Sequence, residues 1–426
     1  MLGRRAVCGK KQCLTLALQQ VKRLIVTNGQ EIHFPGIVSR FTDKLAFLDH
    51  SDYHSIPIYS TIRGDGTRTA LPENYQLDRE MLNQIYHKMV TINTMDKILY
   101  ESQRQGRISF YMTNTGEEAT QIGSAAALTL ADIVYAQYRE AGVLLWRGYP
   151  ISEFMNQCYG NCKDSSKGRQ MPVHYGSKEL NFITISSPLT TQLPQAVGAA
   201  YALKRARKEA CVACYFGEGA ASEGDAHAAL NFAATLDCPV IFICRNNGYA
   251  ISTPSHQQFK GDGVAARGPA YGIRTIRVDG NDVLAVYHAT KVARDMAVRE
   301  SKPVLIEAMT YRIGHHSTSD DSTAYRSVEE MDRWNQRSPT KNFRDYLESI
   351  GLWNIHNEQD LIRSVKKEIL TEFAQAEKQL KPSWKELFSD VYRSTPRHIR
   401  KQMCLMEQHV KRYPMRYPLK SFKPTI

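Results

Sequence analysis

No apolar run among the 426 residues approaches the roughly 20 needed to cross a bilayer, so a soluble protein with no membrane partner is expected. Disulfide scaffolding is equally poorly served. The nine cysteines are odd in number, in a chain long enough to bury its own core. Cys211 and Cys214 have redox or zinc spacing, but they sit within an apolar strand run and no second pair has zinc spacing. Both are expected to be core packing residues, together with Cys158, Cys162, Cys238 and Cys244, which suits a reducing compartment. Absent too are a G-x-G-x-x-G turn with a downstream ribose-binding acid, a P-loop lysine and any internal repeat. That weakens the alternative of a nucleotide-binding scaffold.

Negative charge is missing from one place in particular: no Asp or Glu precedes Glu31. The formal net charge of +12 is confined to the two ends, since residues 1–30 hold six Lys/Arg and residues 391–426 hold nine with one acid. The stretch between them is left near −2, which argues against an extended phosphate-binding face and against a nucleic-acid partner. Residues 1–30 alternate basic and apolar residues as a mitochondrial transit peptide does, with an ordinary basic amphipathic helix as the rival reading. Cleavage near residues 23–35 and residence in the matrix are expected.

What is present centres on Gly217 to Asn247. An apolar run from Ala210 to Phe216 stops at Gly217 and Gly219, an alanine-rich helical segment follows to about Leu236, and a second apolar run ends at Asn246 and Asn247. This is one βαβ unit. In a parallel sheet the carboxyl ends of neighbouring strands share an edge, so Glu218 and Asn247 can converge across 29 positions. Both offer oxygen ligands suited to Mg²⁺, and the glycines with the following helix start suit a diphosphate. The bland reading is a tight turn and a polar loop.

Strand and helix alternate through the middle of the chain, predicting a doubly wound parallel α/β sheet with a helical C-terminal region. The expected divisions are an arm at 31–75, the α/β domain at 76–335, helices at 336–390 and a basic aromatic tail at 391–426 docking on a partner. Residues 77–104 have helical spacing, and G-R-I-S-F-Y-M-T reads as a short β-like stretch. Gln137, Tyr138 and Arg139 fall where a strand meets its turn, where Arg139 can offer a fork to a phosphate or simply pair with Glu140 at the surface. The Ser/Thr/Pro cluster I-S-S-P-L-T-T-Q reads by default as a helix N-cap, with a monovalent-cation site as the alternative. Beyond the last strand, Y-R-I-G-H-H-S-T-S-D-D-S-T-A-Y-R gathers two histidines, hydroxyls and two aspartates on one loop. Adjacent histidines on an extended loop point apart, which disfavours zinc.

The interval from G-E-G to N-N resembles the thiamine diphosphate motif, with Glu218 where Asp is usual. With Q-Y-R-E-A-G-V-L, G-R-Q-M-P-V-H-Y-G, C-R-N-N-G-Y-A-I-S-T-P and Y-R-I-G-H-H-S-T-S-D-D, the chain from about Pro35 onward resembles the alpha subunits of the thiamine diphosphate-dependent 2-oxo acid dehydrogenase family, on its branched-chain rather than pyruvate side. The resemblance implies Mg²⁺ held by Glu218, Asn247 and the Tyr249 carbonyl, and cofactor contacts from Tyr138, Arg139, Ser187, Gly219, Ala220, Arg245 and His316. It also implies K⁺ at Ser186, Pro188, Thr191 and Gln192, in place of the cap. His316 is implied as the catalytic residue, with Arg312 and Tyr325 ordering its loop. Ser317, and more weakly Ser327, are implied phosphorylation sites of a regulatory kinase and phosphatase. The implied partners are a beta subunit in an α2β2 tetramer, which supplies the glutamate that activates the cofactor, and a lipoyl-bearing acyltransferase core.

Overall fold

The computed structural model describes residues 31–49, 52–62 and 67–424; the expected transit peptide lies outside them. The chain divides into two units, residues 1–54 and 55–426. In the first, β1 (Glu31–Phe34) and β2 (Ile37–Arg40) form an antiparallel hairpin, followed by a segment in which Phe41, Leu45, Phe47 and Leu48 are exposed. The expected arm at 31–75 is therefore too long. Residues from Ser55 onward belong to the larger unit, because β3 (Ile58–Tyr59) pairs into its sheet and the Thr61 backbone N–H donates to the buried Asp282 carboxylate at 2.7 Å.

That larger unit is built on seven parallel strands. After β3 come β4 (Ile133–Tyr135), β5 (Phe182–Ile183), β6 (Val212–Gly217), β7 (Val240–Asn246), the small hairpin β8 (Tyr249–Ala250) and β9 (Thr253–Pro254) outside the sheet, then β10 (Arg274–Asp279) and β11 (Val304–Met309). Their order is β3-β10-β11-β7-β6-β4-β5. Apart from two single-turn helices at Ser255–Gln258 and Arg267–Ala270, the helices are α1 (Arg79–Arg104), α2 (Glu118–Ala126), α3 (Ala141–Trp146), α4 (Ile151–Tyr159), α5 (Gln192–Arg205), α6 (Gly224–Thr235) and α7 (Val283–Glu300). After them come α8 (Val328–Gln336), α9 (Pro339–Ser349), α10 (Ile355–Glu377) and α11 (Arg397–Arg412).

The central strands are continuous apolar runs because both sheet faces are covered. Side chains alternate along β6 and β7: Val212, Cys214, Phe216, Val240 and Phe242 pack under α5 and α6, while Ala213, Tyr215, Ile241 and Ile243 pack toward α1, α2 and α7. Cys211 and Cys214 are fully buried and fall in opposite cores, as an odd spacing along extended chain requires, so they neither pair nor share a metal. The small residues of α2 allow a close crossing with α7: a Cβ at Gly123 would lie 2.7 Å from the Val283 carbonyl oxygen.

One further expectation is corrected. The stretch Gly106 to Thr113 is not a strand; it continues into a loop gathered by the buried Asp96, whose carboxylate accepts from Tyr111 Oη at 2.9 Å and from the Asn114 backbone N–H at 2.5 Å. Within its own chain, the described part of the tail, residues 391–424, is also anchored. Lys381 donates its N–H to the Ser421 carbonyl at 2.8 Å, and Lys423 returns one to the Lys381 carbonyl at 2.8 Å. Tyr159, Trp384, Met406 and Phe422 line a cavity of about 580 Å³ between the tail and the body.

Candidate active site

Strands β6 and β7 are adjacent and in register, with Gly217 opposite Arg245, so Glu218 and Asn247 leave the sheet side by side. The Asn247 backbone N–H donates to Glu218 Oε2 at 3.3 Å, and the other carboxylate oxygen, Oε1, is buried with no hydrogen-bond partner among the described residues. Burial, then the charge of nearby Glu117, pushes the Glu218 carboxyl up to about 7. The bland reading of this turn does not account for an orphaned buried carboxylate oxygen, which costs free energy unless a donor or cation reaches it. After Glu218 the chain makes a tight turn at Ala220–Ser222, and a Cβ at Gly219 would come within 2.6 Å of the Ala250 Cβ.

Around this pair lies a buried charge network. Arg245 NH1 donates to Glu117 Oε2 at 2.6 Å, and its Nε donates to Glu140. Burial would raise the Glu117 carboxyl, but Arg245 and Arg139 outweigh it and hold it below the usual carboxylate range. Asn247 Nδ2 donates to Glu117 Oε1 at 2.7 Å, and the Tyr249 N–H donates to Asn247 Oδ1 at 3.2 Å. Arg139 is buried and does not pair with Glu140. It donates to the Thr113 and His316 carbonyls instead, so the surface-pair reading fails.

His316 stands against this network. Arg312 NH1 lies 3.0 Å from its Nδ1 and Arg139 NH2 3.5 Å. A guanidinium only donates, so Nδ1 accepts and the ring proton sits on Nε2. Burial, then Arg139 and Arg312, pulls its pKa down to about 3, leaving a neutral imidazole edge-on to Tyr138 at 6.0 Å between ring centroids. The loop is held from several sides: Arg312 donates to Tyr325 Oη at 2.9 Å, Tyr325 Oη donates to Asp320 Oδ2 at 2.6 Å, and Asp320 Oδ2 accepts the His316 N–H at 2.7 Å. His315 instead turns to Ser322, 2.9 Å from its Oγ, so the two histidines diverge. Among the described residues, no group of three or more His, Cys, Asp or Glu side chains is arranged to hold a metal. Ser317 is half-buried, and Ser327 is the N-cap of α8, its Oγ accepting the Glu330 N–H at 3.1 Å.

Before α5, the default cap does not form. Thr191 has helical backbone angles and makes no capping bond; its Oγ1 donates toward the Pro188 carbonyl at 3.2 Å and lies 3.4 Å from Ser186 Oγ. Gln192 Nε2 donates to the Tyr215 carbonyl at 3.0 Å. Ser187 Oγ lies 2.5 Å from His174 Nε2, whose Nδ1 faces the Pro172 carbonyl at 3.0 Å. The carbonyl requires the proton on Nδ1, so Ser187 donates to Nε2. Sequence reasoning missed Glu117, Glu140 and His174. The signal for the first was two adjacent acids opening the small-residue helix α2, where burial demands partners.

A profile of the dehydrogenase E1 component family matches residues 86–385, and the chain belongs to that family. Within it, the chain is 58% identical to the 2-oxoisovalerate dehydrogenase subunit alpha, mitochondrial, of Mus musculus, over 92% of this chain and 88% of the relative. It is 58% identical to the Homo sapiens protein of the same name, over 91% and 88%. Identity to the subunit alpha 2 of Arabidopsis thaliana is 53%, over 93% and 84%.

Proposed function

We infer that this chain serves in the mitochondrial matrix as the alpha subunit of the decarboxylating E1 component of a branched-chain 2-oxo acid dehydrogenase, in valine, leucine and isoleucine breakdown. The relatives' names support the substrate class and location. A beta subunit completes the enzyme, and a lipoyl-bearing acyltransferase core receives the acyl group. The observation that carries the reading is the buried Glu218 carboxylate with one unpartnered oxygen, beside Asn247 at the tips of adjacent parallel strands.

Those residues fit a metal-bound diphosphate. Glu218, the Asn247 amide oxygen and the Tyr249 carbonyl would hold Mg²⁺, an all-oxygen set. Tyr138, Arg139, Ser187, Gly219, Ala220, Arg245 and His316 would hold thiamine diphosphate, which supplies the electron sink for loss of CO₂ from a 2-oxo acid. The oxygens of Ser186, Pro188, Thr191 and Gln192 would take K⁺, a reading supported by the hydroxyls turning from a cap toward a carbonyl. The chain's own residues then position and move protons. Arg139 and Arg245 place positive charge at the strand tips, and neutral His316 offers its Nε2 proton to an oxygen gaining charge. Phosphorylation of Ser317, with Ser327 a weaker second site, would be the regulatory input of a kinase and phosphatase.

Co-expression with the beta subunit tests this. Thiamine diphosphate should bind in a Mg²⁺-dependent way, and CO₂ should be released from 3-methyl-2-oxobutanoate in preference to pyruvate. Preference for pyruvate would move the chain to the pyruvate side of the family. Absence of cofactor binding would favour a non-catalytic scaffold.

A further inference from the structure

We propose that Glu117 is a positioning residue that fixes which way round the Asn247 amide sits, and thereby presents its oxygen to the metal; this rests on the functional reading above. Glu117 is fully buried, and its two oxygens are spent on neighbours. Oε2 accepts from Arg245 at 2.6 Å with Arg139 Nε 4.0 Å away, while Oε1 accepts from Asn247 Nδ2 at 2.7 Å with Thr310 Oγ1 at 3.4 Å. An amide oxygen and nitrogen are nearly the same size, so packing alone orients Asn247 poorly. A carboxylate flanked by two guanidiniums settles the matter, because it accepts and cannot donate. The NH₂ group must face Glu117, and Oδ1 must face the other way, on the side of the Tyr249 N–H at 3.2 Å.

The backbone fixes Glu117 in turn. Gly116 has φ +98, and a Cβ there would lie 2.1 Å from the Tyr311 carbonyl oxygen, so the loop delivers Glu117 only with glycine before it. A glutamine at 117 would keep the volume but could offer its own NH₂ to Asn247. The amide could then turn over and set two hydrogens where the metal needs a lone pair.

The test uses the assembled α/β protein. Mn²⁺ is titrated with thiamine diphosphate at saturation and followed by electron paramagnetic resonance, so the readout is metal affinity rather than turnover. Glu117→Gln is expected to weaken Mn²⁺ binding about tenfold or more, the usual range for a group that orients a metal ligand, and, because buried Arg245 then keeps only Glu140 as its carboxylate partner, to lower the thermal midpoint as well. Asn247→Asp alone sets two carboxylates in contact. Adding Glu117→Gln to it restores a donor opposite an acceptor with the polarity reversed, and should recover affinity relative to Asn247→Asp. That comparison decides the matter even where the single Gln variant fails to assemble. Unchanged Mn²⁺ affinity in Glu117→Gln, or no recovery in the double variant, overturns the proposal alone. An unsubstituted assembly that binds no Mn²⁺ overturns the functional reading with it.

Discussion

His316 shows how a buried titratable side chain is set by its neighbours. Its Nδ1 faces Arg312 and Arg139, and burial together with their charge outweighs the opposing Asp320 and draws the pKa to about 3. An unfolded imidazole takes up its proton near pH 6.5. Between about 6.5 and 3 the unfolded chain therefore holds one more proton than the folded one, so this residue's contribution to stability is present above pH 6.5 and is lost as pH falls. The thermal midpoint of the assembled protein is expected to drop more steeply from pH 7 to pH 5 than that of His316→Gln. Parallel slopes would show that His316 titrates normally. The same neutrality means that at physiological pH the ring acts as a donor through Nε2, not as a cation.

At the scale of elements, the loop after β11 and the helix α8 form one assembly. Arg326 lies 5.2 Å from the Tyr311 ring centroid and 5.9 Å from those of Tyr249 and Tyr325, and it donates to the Arg312 and Gly314 carbonyls. Tyr249 and Tyr311 both donate to Glu330 Oε1 at 2.9 Å. The loop carrying His316 is thus tied to the hairpin that carries Tyr249. Ser317 sits three residues before Asp320, which accepts from the His316 N–H and from Tyr325. A second negative charge there competes for the same donors and repels Asp320. Ser317→Glu is expected to lower turnover by at least ~tenfold, about 1.4 kcal/mol on the barrier, while thiamine diphosphate still binds. Turnover within twofold of the unsubstituted enzyme would refute the switch.

For the molecule as a whole, the near-neutral body and the basic tail are joined by more than sequence. Phe422 of the tail bridges to Lys381, and the segment just before the tail is held by Lys167 on Glu386 at 2.7 Å and Arg169 on Asp390 at 3.0 Å. Exposed pairs of this kind contribute little singly; the apolar lining of Tyr159, Met406 and Phe422 beside Trp384 contributes more. Deleting residues 391–426 is expected to lower the thermal midpoint by several degrees and to shift tryptophan emission to the red as Trp384 gains water. An unchanged midpoint and spectrum would assign the tail wholly to a partner. Val391, Tyr392 and Met415 remain exposed on it, so anchoring here and contact with another subunit are compatible.

Apolar runs with helices between them were enough to determine the parallel sheet, the burial of Cys158, Cys211, Cys214, Cys238 and Cys244 and the polar character of the strand tips, because each follows from local periodicity and from the need to cover both faces; Cys162, also expected in the core, is only half-buried, because it lies in a loop outside those runs. The convergence of Glu218 and Asn247 was also legible, since one βαβ unit places successive parallel strands close together. What tertiary structure alone decided was who faces whom. Glu117 reaches Arg245 and Asn247 across 128 and 130 positions, Arg139 turns inward rather than to its neighbour Glu140, and Ile58–Tyr59 join the sheet of the larger unit rather than an arm. Such pairings depend on strand order and on how deeply a loop is buried, and neither leaves a periodic trace in the chain.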